Sequence, residues 1–421
     1  MLNRRQFTLG TVLAAAAATL PATARSADAV TLRVWDQFTD ENADAGMKAL
    51  IDGFQKDNPS ITIQRDVQQT EDMRPIVQTA LASGTGPDII YYDTGPGYGK
   101  VLADAGLLLP LDDAYAAGAF SHVYDWTKPR TTYNGKIYGV GNELETYWAY
   151  YNVDLFKQLK LEVPKTYADF LKVCAAIKQA GTVPVAFADQ GGWPAYHLFS
   201  VYLNNLAGKK KMEDLLLGTG SWDDPQVVEA TKTFFVDMNK AGYLIPDCTA
   251  VKYDDAIALF NAGQAAMHIS GTWAIGQING KAPFEVGWFF VPKADGGALP
   301  PAGLGSGYFV SSKTQQKDAA IKFLSYLFDP ANAKIWMEQM LMIPPYQADA
   351  SAFKLPDLFK SAIQAISTQE MGYNIDVMTP DKFNTAMGDG FQAVLLGQKT
   401  PEQQAKDLQA AMLAARAAAA S

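Results

Sequence analysis

The chain has 421 residues and a formal net charge of -9, with 48% apolar and 19% charged residues. This length allows two or three domains, and the composition is that of a globular protein rather than a disordered or fibrous one. The negative charge repels phosphate groups and anionic lipid headgroups, so we expect neither nucleic acid nor a membrane surface among the partners.

The first residues predict an export signal rather than part of the fold. Arg4-Arg5 precede an Ala-rich apolar run over residues 12–20, and small residues lead up to Ala24. This pattern predicts a signal peptide over residues 1–27, of twin-arginine type with Sec export as the open alternative. The apolar run is too short to span a membrane. We therefore expect an exported, soluble, monomeric protein of the periplasm.

The cysteines and histidines restrict the possible metal and redox chemistry. Cys174 and Cys248 could form a disulfide in an exported protein, or remain buried free thiols. His122, His197 and His268 do not have metal-ligand spacing. The sequence therefore predicts no metal site and no cofactor.

Strand and helix patterns alternate at the start of the mature chain. "TLRVW", "ITIQ" and "DIIYYD" predict strands, and helical spacing of apolar residues predicts helices around Met47–Phe54 and Met73–Leu81. This order predicts an open α/β sheet. Ligands bind beyond the carboxyl ends of the strands in such sheets, here at residues 35–37 and 92–94.

Carboxylates and aromatic residues are dense in "YGVGNELETYWAYYN", which begins at Tyr138. Glu143 and Glu145 share one face if this segment is extended. They could be the acid and nucleophile of a glycosidase, or accept hydrogen bonds from sugar hydroxyls. An exposed turn is the third possibility.

Several aromatic residues lie outside apolar periodic runs. Tyr147, Trp148, Trp193 and Trp273 adjoin Gly, Pro or polar residues. A flat apolar ring beside hydrogen-bonding groups suits a sugar, whose C–H face stacks while its rim needs polar partners. Packing in the core is the alternative for each ring.

Glycines concentrate in "PPAGLGSGYFVSS", at positions 303, 305 and 307. Glycine at this density indicates a place where the backbone bends or approaches another group closely.

Four segments of the chain carry a shared pattern. In "AIALFNAGQAAMHISGTWAI" it consists of Phe260, Gly263, Ala265, Ala266, Met267, Gly271 and Trp273. The other three are "SGTGPDII", "YGVGNELETYWAYYNVDLF" and "LLGQKTPEQQAKDLQ". Together, and in their order along the chain, these segments resemble extracellular solute-binding proteins of carbohydrate ABC importers, the maltose-binding-protein-like family 1. Gly141 and Gln404 depart from the family pattern, which has Pro and Ala there.

The resemblance implies two α/β lobes with the ligand cleft between them. Lobe 1 is expected over 28–140 plus 306–343, and lobe 2 over 141–303 plus 346–421. The chain would cross between the lobes near Gly139–Asn142, Gly303–Ser306 and Pro344-Pro345. A sugar would bind by closure of the lobes, and permease subunits in the inner membrane would receive it.

Ligand-binding residues are assigned by their position in the implied fold. They are Asp36, Gln37, Asp93, Glu143, Glu145, Tyr147, Trp193, Trp273, Gly305, Ser306, Asn374 and Asp376. Trp193 is expected in a loop of lobe 2. A polyol or a polyamine is the alternative ligand, and a glycosidase using Glu143 with Asp93 or Asp376 is the remote alternative activity.

Overall fold

The computed structural model describes residues 29–217 and 219–419, so the predicted signal peptide lies outside the described residues. Within the described ranges, no helix is long and apolar enough to cross a membrane. The strands in these ranges are β1 Val30–Asp36, β2 Ile61–Val67, β3 Ile89–Asp93, β4 Thr132–Tyr133, β5 Lys136–Ile137, β6 Gly139–Gly141, β7 Glu145–Asn152, β8 Val183–Val185, β9 Ala265–Gly271, β10 Val286–Phe289, β11 Pro301–Gly303, β12 Ser306–Val310 and β13 Gly372–Tyr373.

The α-helices of the same ranges follow in chain order. They are α1 Glu41–Asp57, α2 Thr70–Met73, α3 Val77–Ser83, α4 Gly99–Asp104, α5 Asp112–Ala116, α6 Val153–Leu159, α7 Tyr167–Gln179, α8 Trp193–Leu216, α9 Pro225–Thr231, α10 Tyr253–Asn261, α11 Ile275–Ile278, α12 Lys317–Leu327, α13 Asp357–Thr368, α14 Asp381–Leu395 and α15 Pro401–Ala419. Turns of 3-10 helix lie at Asp125–Thr131, Cys248–Ala250, Thr272–Ala274, Pro330–Asn332 and Ala350–Ala352, and π-helical segments at Lys232–Met238 and Ile335–Gln339.

The first sheet has the strand order β2–β1–β3–β12–β6. The strands β1, β2 and β3 are parallel, as their alternation with helices predicts, whereas β12 runs antiparallel to both β3 and β6. Helix α1 buries Met47, Leu50, Ile51 and Phe54, the residues whose spacing predicted it. This sheet and its helices form lobe 1 of the molecule.

The second sheet has the order β13–β11–β7–β9–β8, with β10 paired to β7. Its longest strand, β7, lies antiparallel to β9, β10 and β11. A separate hydrophobic core surrounds this sheet and includes side chains from α7, α8, α14 and α15. The fold is therefore α/β with two lobes, one around each sheet.

Two short connections join the sheets. Residues 142–144 lead from β6 in the first sheet to β7 in the second, and residues 304–305 lead back from β11 to β12. A third segment runs beside the first connection, where the Leu144 N–H donates to the Ile343 carbonyl oxygen at 3.1 Å. These segments bring the ends of both sheets to the same place.

Two expectations from the sequence are wrong in detail. The helix predicted around Met73–Leu81 is split into α2 and α3, because Pro75 has no N–H and disfavours helical geometry at the residue before it. Trp193 begins α8 instead of lying in a loop. Pro194 follows at the start of this helix, where the missing N–H costs nothing.

The remaining expectations concern the cysteines and the glycine-rich segment. Cys174 and Cys248 are both buried free thiols, which answers the question of the disulfide. Gly307 lies so close to β6 that a Cβ would be 2.7 Å from the Val140 carbonyl oxygen. Gly307, within β12, therefore allows the close approach that the density of glycines predicts.

Candidate ligand-binding site

A cleft between the two sheets contains about 910 Å³ of space, part of it continuous with solvent. Eleven of the twelve residues predicted from the sequence line it. They are Gln37, Asp93, Glu143, Glu145, Tyr147, Trp193, Trp273, Gly305, Ser306, Asn374 and Asp376. The sequence therefore predicts eleven of the residues that line the cleft.

Strand ends bring these side chains together. Asp93 ends β3 directly opposite Ser306, which begins β12. In the second sheet, Glu145 begins β7, and Tyr147 pairs with Gly271 at the end of β9. Both sheets thus present their ends to the cleft, as open α/β sheets do with ligand sites.

Asp36 is the predicted residue that does not line the cleft. Its carboxylate accepts hydrogen bonds from Arg65 Nε at 2.5 Å and Arg65 Nη2 at 2.9 Å, and from the Phe38 N–H at 3.1 Å. Burial raises the pKa of Asp36 although Arg65 acts in the opposite direction. Asp36 therefore holds the end of β1 in place, and its neighbour Gln37 faces the cleft, because successive strand residues point to opposite faces.

An aromatic cluster forms the wall contributed by the second lobe. The ring of Trp273 meets Tyr147 edge to face at 5.1 Å, and its Nε1 donates to Tyr253 OH at 2.8 Å. Trp193 lies 4.5 Å from Tyr253 and 5.1 Å from His197, measured between ring centroids. These contacts fix the orientation of the rings before any ligand arrives.

Trp148 differs from its neighbour Tyr147. The indole of Trp148 is fully buried and stacks on Trp288 with ring centroids 4.5 Å apart. Core packing, the alternative kept open for each aromatic residue, is therefore its role.

Gly271 allows Trp273 to turn toward the cleft. The strand β9 ends at Gly271, and the 3-10 turn Thr272–Ala274 carries the indole back over it. A Cβ on Gly271 would overlap the indole ring. Only glycine at the strand end is compatible with this position of the ring.

Four buried polar atoms of the cleft residues have no hydrogen-bond partner among the described residues. They are Tyr147 OH, Trp193 Nε1, Asn374 Oδ1 and Asp376 Oδ1. An unsatisfied buried polar group costs about 1–3 kcal/mol. A ligand with hydroxyl groups removes this cost. Its hydroxyls can donate hydrogen bonds to the oxygens of Asn374 and Asp376 and accept them from Tyr147 OH and Trp193 Nε1.

The acidic residues of the cleft differ in their electrostatic surroundings. Asp93 accepts a hydrogen bond from Arg74 Nε at 3.0 Å. Burial alone would raise the pKa of Asp376, but His197, whose Nε2 lies 3.8 Å from Asp376 Oδ2, and Arg74 lower it overall. Both carboxylates therefore have a partner that stabilises their charge.

Among the described residues, neither Glu143 nor Glu145 forms an ion pair, and hydrogen bonds from the Gly305 backbone and between the two carboxyl groups only partly offset the effect of burial on their pKa values. Burial, together with the negative charge of Asp40, raises the pKa of Glu143 to about 8. Burial and the charge of Glu143 raise the pKa of Glu145 well above its ordinary value. Gly305 lies against this pair, since a Cβ there would be 2.6 Å from Glu145 Oε2. The floor of the cleft thus retains a proton near neutral pH.

Arg74, His197 and Tyr253 line the cleft but were not predicted from the sequence. His197 follows Trp193 by four residues in α8, so recognising that helix would have placed both on one face. Arg74 adjoins Pro75, whose break in the predicted helix turns the guanidinium toward Asp93. No comparable signal distinguishes Tyr253.

The lobes also touch at the rim of the cleft. Asn42 Nδ2 donates to the Gly276 carbonyl oxygen at 2.7 Å, and Gln69 Nε2 donates to Asp254 Oδ2 at 2.9 Å. Lys281 Nζ and Glu41 Oε2 form an ion pair at 2.5 Å. These bonds join residues of the first lobe to residues of the second, so the cleft is closed on this side.

Comparison with known proteins finds relatives that are similar in sequence over most of the chain. An uncharacterised ABC transporter extracellular-binding protein of Pyrococcus horikoshii is 27% identical over 350 residues, covering 80% of this chain and 77% of the relative. A multiple sugar-binding protein of Streptococcus mutans is 27% identical over 330 residues, covering 76% of each chain. Both alignments span most of the length of the relative.

Solved structures share the fold. A chitin oligosaccharide binding protein superposes with a TM-score of 0.83 at 26% identity, covering 93% of this chain and 100% of that one. The maltose/maltodextrin-binding domain of Bdellovibrio bacteriovorus, bound to maltotriose, gives a TM-score of 0.75 at 21% identity, covering 92% and 100%. The sequence model of bacterial extracellular solute-binding proteins matches residues 39–334, more than half of the chain. The chain belongs to the bacterial extracellular solute-binding proteins.

Proposed function

We propose that this protein captures a sugar or oligosaccharide in the cleft and delivers it to an ABC importer. The observation that carries the proposal is the combination of fixed aromatic rings with buried polar atoms that lack protein partners. A sugar ring needs both, because its C–H face stacks on an indole while its hydroxyls donate and accept hydrogen bonds. The names of the Streptococcus and chitin-oligosaccharide relatives support a carbohydrate ligand.

The mechanism is closure of two lobes around the ligand. We place the lobes at 28–140 plus 306–343 and at 141–303 plus 346–421, although β6, a strand of the first sheet, extends to Gly141. The rim hydrogen bonds exist only when the lobes are together, and a ligand held by both lobes favours that state. No covalent step and no cofactor are required.

The partners in this mechanism are the permease subunits of an ABC transporter in the inner membrane. They would receive the sugar from the closed protein, which acts as an exported monomer of the periplasm. The family consists of binding proteins, and we extend this to an absence of catalysis here. A glycosidase acting through Glu143 would release reducing sugar on incubation with oligosaccharides, and we expect none.

Phosphorylated ligands and polyols are less suitable. Arg74, the arginine that lines the cleft among the described residues, already bonds to Asp93 and lies 4.7 Å from the ring of Tyr98. A phosphate would have to compete with Asp93 for it. A polyol would satisfy the polar atoms but would leave the aromatic rings without a flat partner.

A thermal-shift screen of the mature protein, followed by calorimetric titration, tests the proposal. The ligands are mono- and oligosaccharides, polyols and polyamines. A ligand at 100 times its Kd adds about 2.7 kcal/mol to the free energy of unfolding, which is readily detected. One-to-one binding of a sugar without turnover is expected. Shifts from polyamines or polyols alone would overturn the sugar assignment.

Replacing Trp273 with Ala tests the stacking role directly. The indole is half-buried and borders the cleft, so its loss should weaken sugar binding at least tenfold, or about 1.4 kcal/mol, while the protein remains folded. Trp126→Ala is the matched control, because Trp126 is 50% exposed and does not line the cleft. Equal sugar affinity in the Trp273 and Trp126 variants contradicts the prediction.

A further inference from the structure

The walls of the cleft are strongly acidic. Among the described residues, seven carboxyl side chains line it, against one arginine, one histidine and no lysine. That arginine, Arg74, is engaged by Asp93, so its charge is already balanced. A ligand entering the cleft therefore meets a surplus of negative or protonated carboxyl groups.

The surplus is greatest at Glu143 and Glu145, which are only 4% and 7% exposed. Within the described ranges neither carboxyl group has a Lys, Arg or His nitrogen within 4 Å. Asp40 faces Glu143, and Asp93 and Asp376 face Glu145.

Within the part of the chain that the structure describes, one cation acts on the pair. Arg130 interacts electrostatically with Glu145, but its Nη1 contacts Met378 Sδ at 2.6 Å and it forms no ion pair. Four phenols also face the pair, and burial raises the pKa of each of them, so they remain neutral. They are Tyr91, Tyr147, Tyr253 and Tyr308.

Two buried carboxyl groups without a cation have two ways to avoid an uncompensated charge. They can share a proton, or a ligand can supply a positive group. A neutral sugar leaves the proton in place, whereas a cation replaces it. The two kinds of ligand therefore differ in the protons released on binding.

A second observation points to a ligand that donates hydrogen bonds in the same cleft, as an ammonium group does. Asn374 Oδ1 and Asp376 Oδ1 belong to residues that are 3% and 1% exposed, line the cleft and have no partner among the described residues for these oxygens. Both are hydrogen-bond acceptors, which an ammonium group with three donors can satisfy. The rings of Tyr147 and Trp273 beside them can add a cation–π contribution.

We propose that the ligand is an amino sugar or a short chain of amino sugars, with an ammonium group seated against Glu143 and Glu145. This rests on the proposed function and narrows its substrate class. The positive charge of the ammonium group takes the place of the proton that the two carboxyl groups share, and that proton is released to the solvent. The aromatic rings stack on the sugar, which distinguishes this ligand from a simple polyamine.

A matched pair of ligands tests the proposal. A glucosamine trisaccharide and its N-acetylated counterpart have the same sugar backbone, but only the first carries ammonium groups. Titration calorimetry at pH 6, where the amino groups are protonated, in two buffers of different ionisation enthalpy measures both affinity and proton release. We expect the amine form to bind at least tenfold more tightly, with protons released, and the N-acetyl form to bind without release.

The pH dependence has a defined sign. The pKa of Glu143 is about 8 in the free protein, so its proton must be removed for the ammonium to bind below that pH. Affinity for the amine form should therefore rise by up to about tenfold per pH unit between about pH 5 and 7. Affinity for the N-acetyl form should change little.

Glu145→Gln removes one carboxylate of the pair while preserving its shape. It should abolish the preference for the amine form and reduce proton release. Glu162→Gln, with the same charge change at an exposed position outside the cleft, should behave as the wild type. Circular dichroism of each variant checks that it is folded. If a variant does not fold, the proton release measured with the wild-type protein still tests the proposal.

The outcomes separate this inference from the sugar-binding function. Equal affinity for both trisaccharides without proton release overturns the inference but leaves sugar binding intact. Tight binding of the N-acetyl form alone has the same meaning. Binding of spermidine with proton release, but of neither trisaccharide, overturns the sugar-binding function and the amino sugar together.

Discussion

Asp36 and Gln37 are adjacent at the end of β1, yet they act in different places. The carboxylate of Asp36 is buried against Arg65, which also bonds to Asp44 Oδ1 at 2.6 Å. Gln37 points into the cleft and accepts a hydrogen bond from Thr70 Oγ1 at 2.6 Å. The first residue contributes to the stability of lobe 1, and the second is available to a ligand.

Asp36→Ala is therefore expected to lower the free energy of unfolding by about 3 kcal/mol, because it leaves the buried Arg65 guanidinium with one carboxylate instead of two. Ligand affinity should stay within about twofold of the wild type. Urea unfolding and calorimetric titration measure these two quantities.

Asp44→Ala is the control, since Asp44 is 28% exposed and bonds to the same guanidinium. It should cost less than about 1 kcal/mol. A large loss of ligand affinity in Asp36→Ala, with an unchanged free energy of unfolding, would mean that Asp36 contributes to ligand binding.

At the scale of elements, periodicity predicted α1 and the first three strands because local pattern and tertiary burial agree there. The helix predicted around Met73–Leu81 was wrong, since the apolar spacing continues through Pro75 while the backbone hydrogen bonds do not. The helix α8 was missed because residues 193–204 are buried on nearly all sides and leave no polar face, and Gly208 then interrupts the helical geometry.

The candidate site was predictable where it depends on strand ends. Asp93, Glu145 and Trp273 follow from the positions at which β3, β7 and β9 begin or end. Arg74 and Tyr253 depend on how separate helices pack across the cleft, and that packing is a long-range property without a local signal.

The end of β9 provides a prediction at this scale. In Gly271→Ala the added methyl overlaps the indole of Trp273 and must displace it, because the surrounding strand is fully buried. Sugar affinity should fall at least tenfold, as in Trp273→Ala, and titration calorimetry measures it.

Gly84→Ala is the matched control for this glycine. Gly84 has a φ of 70° with no atom within 4 Å of an added Cβ, so the change should cost about 1–2 kcal/mol of stability through backbone strain alone. If Gly271→Ala binds sugar as tightly as Gly84→Ala, the turn does not determine the position of the indole.

For the whole molecule, the contacts at the rim link closure to binding. The hydrogen bond from Asn42 to Gly276 joins the lobes, and neither of these residues lines the cleft. Asn42→Ala should weaken sugar binding by about two- to fivefold, because losing about 0.5–1 kcal/mol favours the open state. Titration gives the affinity, and X-ray scattering should show a larger radius of gyration for the free variant.

Asn332→Ala removes a hydrogen bond of the same type and length, to the Tyr326 carbonyl oxygen within lobe 1. It should leave affinity and radius unchanged. An equal loss of affinity in both variants would mean that general destabilisation, rather than lobe opening, causes it.

Stability of the free protein should also depend on pH. The pKa of Glu143 is about 8 in the folded state against about 4.3 when unfolded, so the folded state binds the extra proton and loses stability as pH rises toward 8. Burial raises the pKa of Asp189 to about 8 as well. His268 has the opposite effect, since burial lowers its pKa to about 4, but this acts below about pH 6.5.

Between about pH 6.5 and 8 the free energy of unfolding should therefore fall by at least about 1 kcal/mol. Urea unfolding at several pH values measures the slope. Glu143→Gln cannot lose this proton and should show a shallower slope than Glu162→Gln, which keeps the pair intact. Identical slopes would show that the pair does not retain a proton in the free protein.

The two buried free thiols, Cys174 and Cys248, have a consequence for biogenesis. Burial raises the pKa of both thiols, to about 12 for Cys248, so they are poorly reactive toward oxidants. The native state requires no oxidative folding step and is the same in reducing and oxidising compartments. Export of an already folded protein, which Arg4-Arg5 predicts, therefore does not require a disulfide between these thiols to form first.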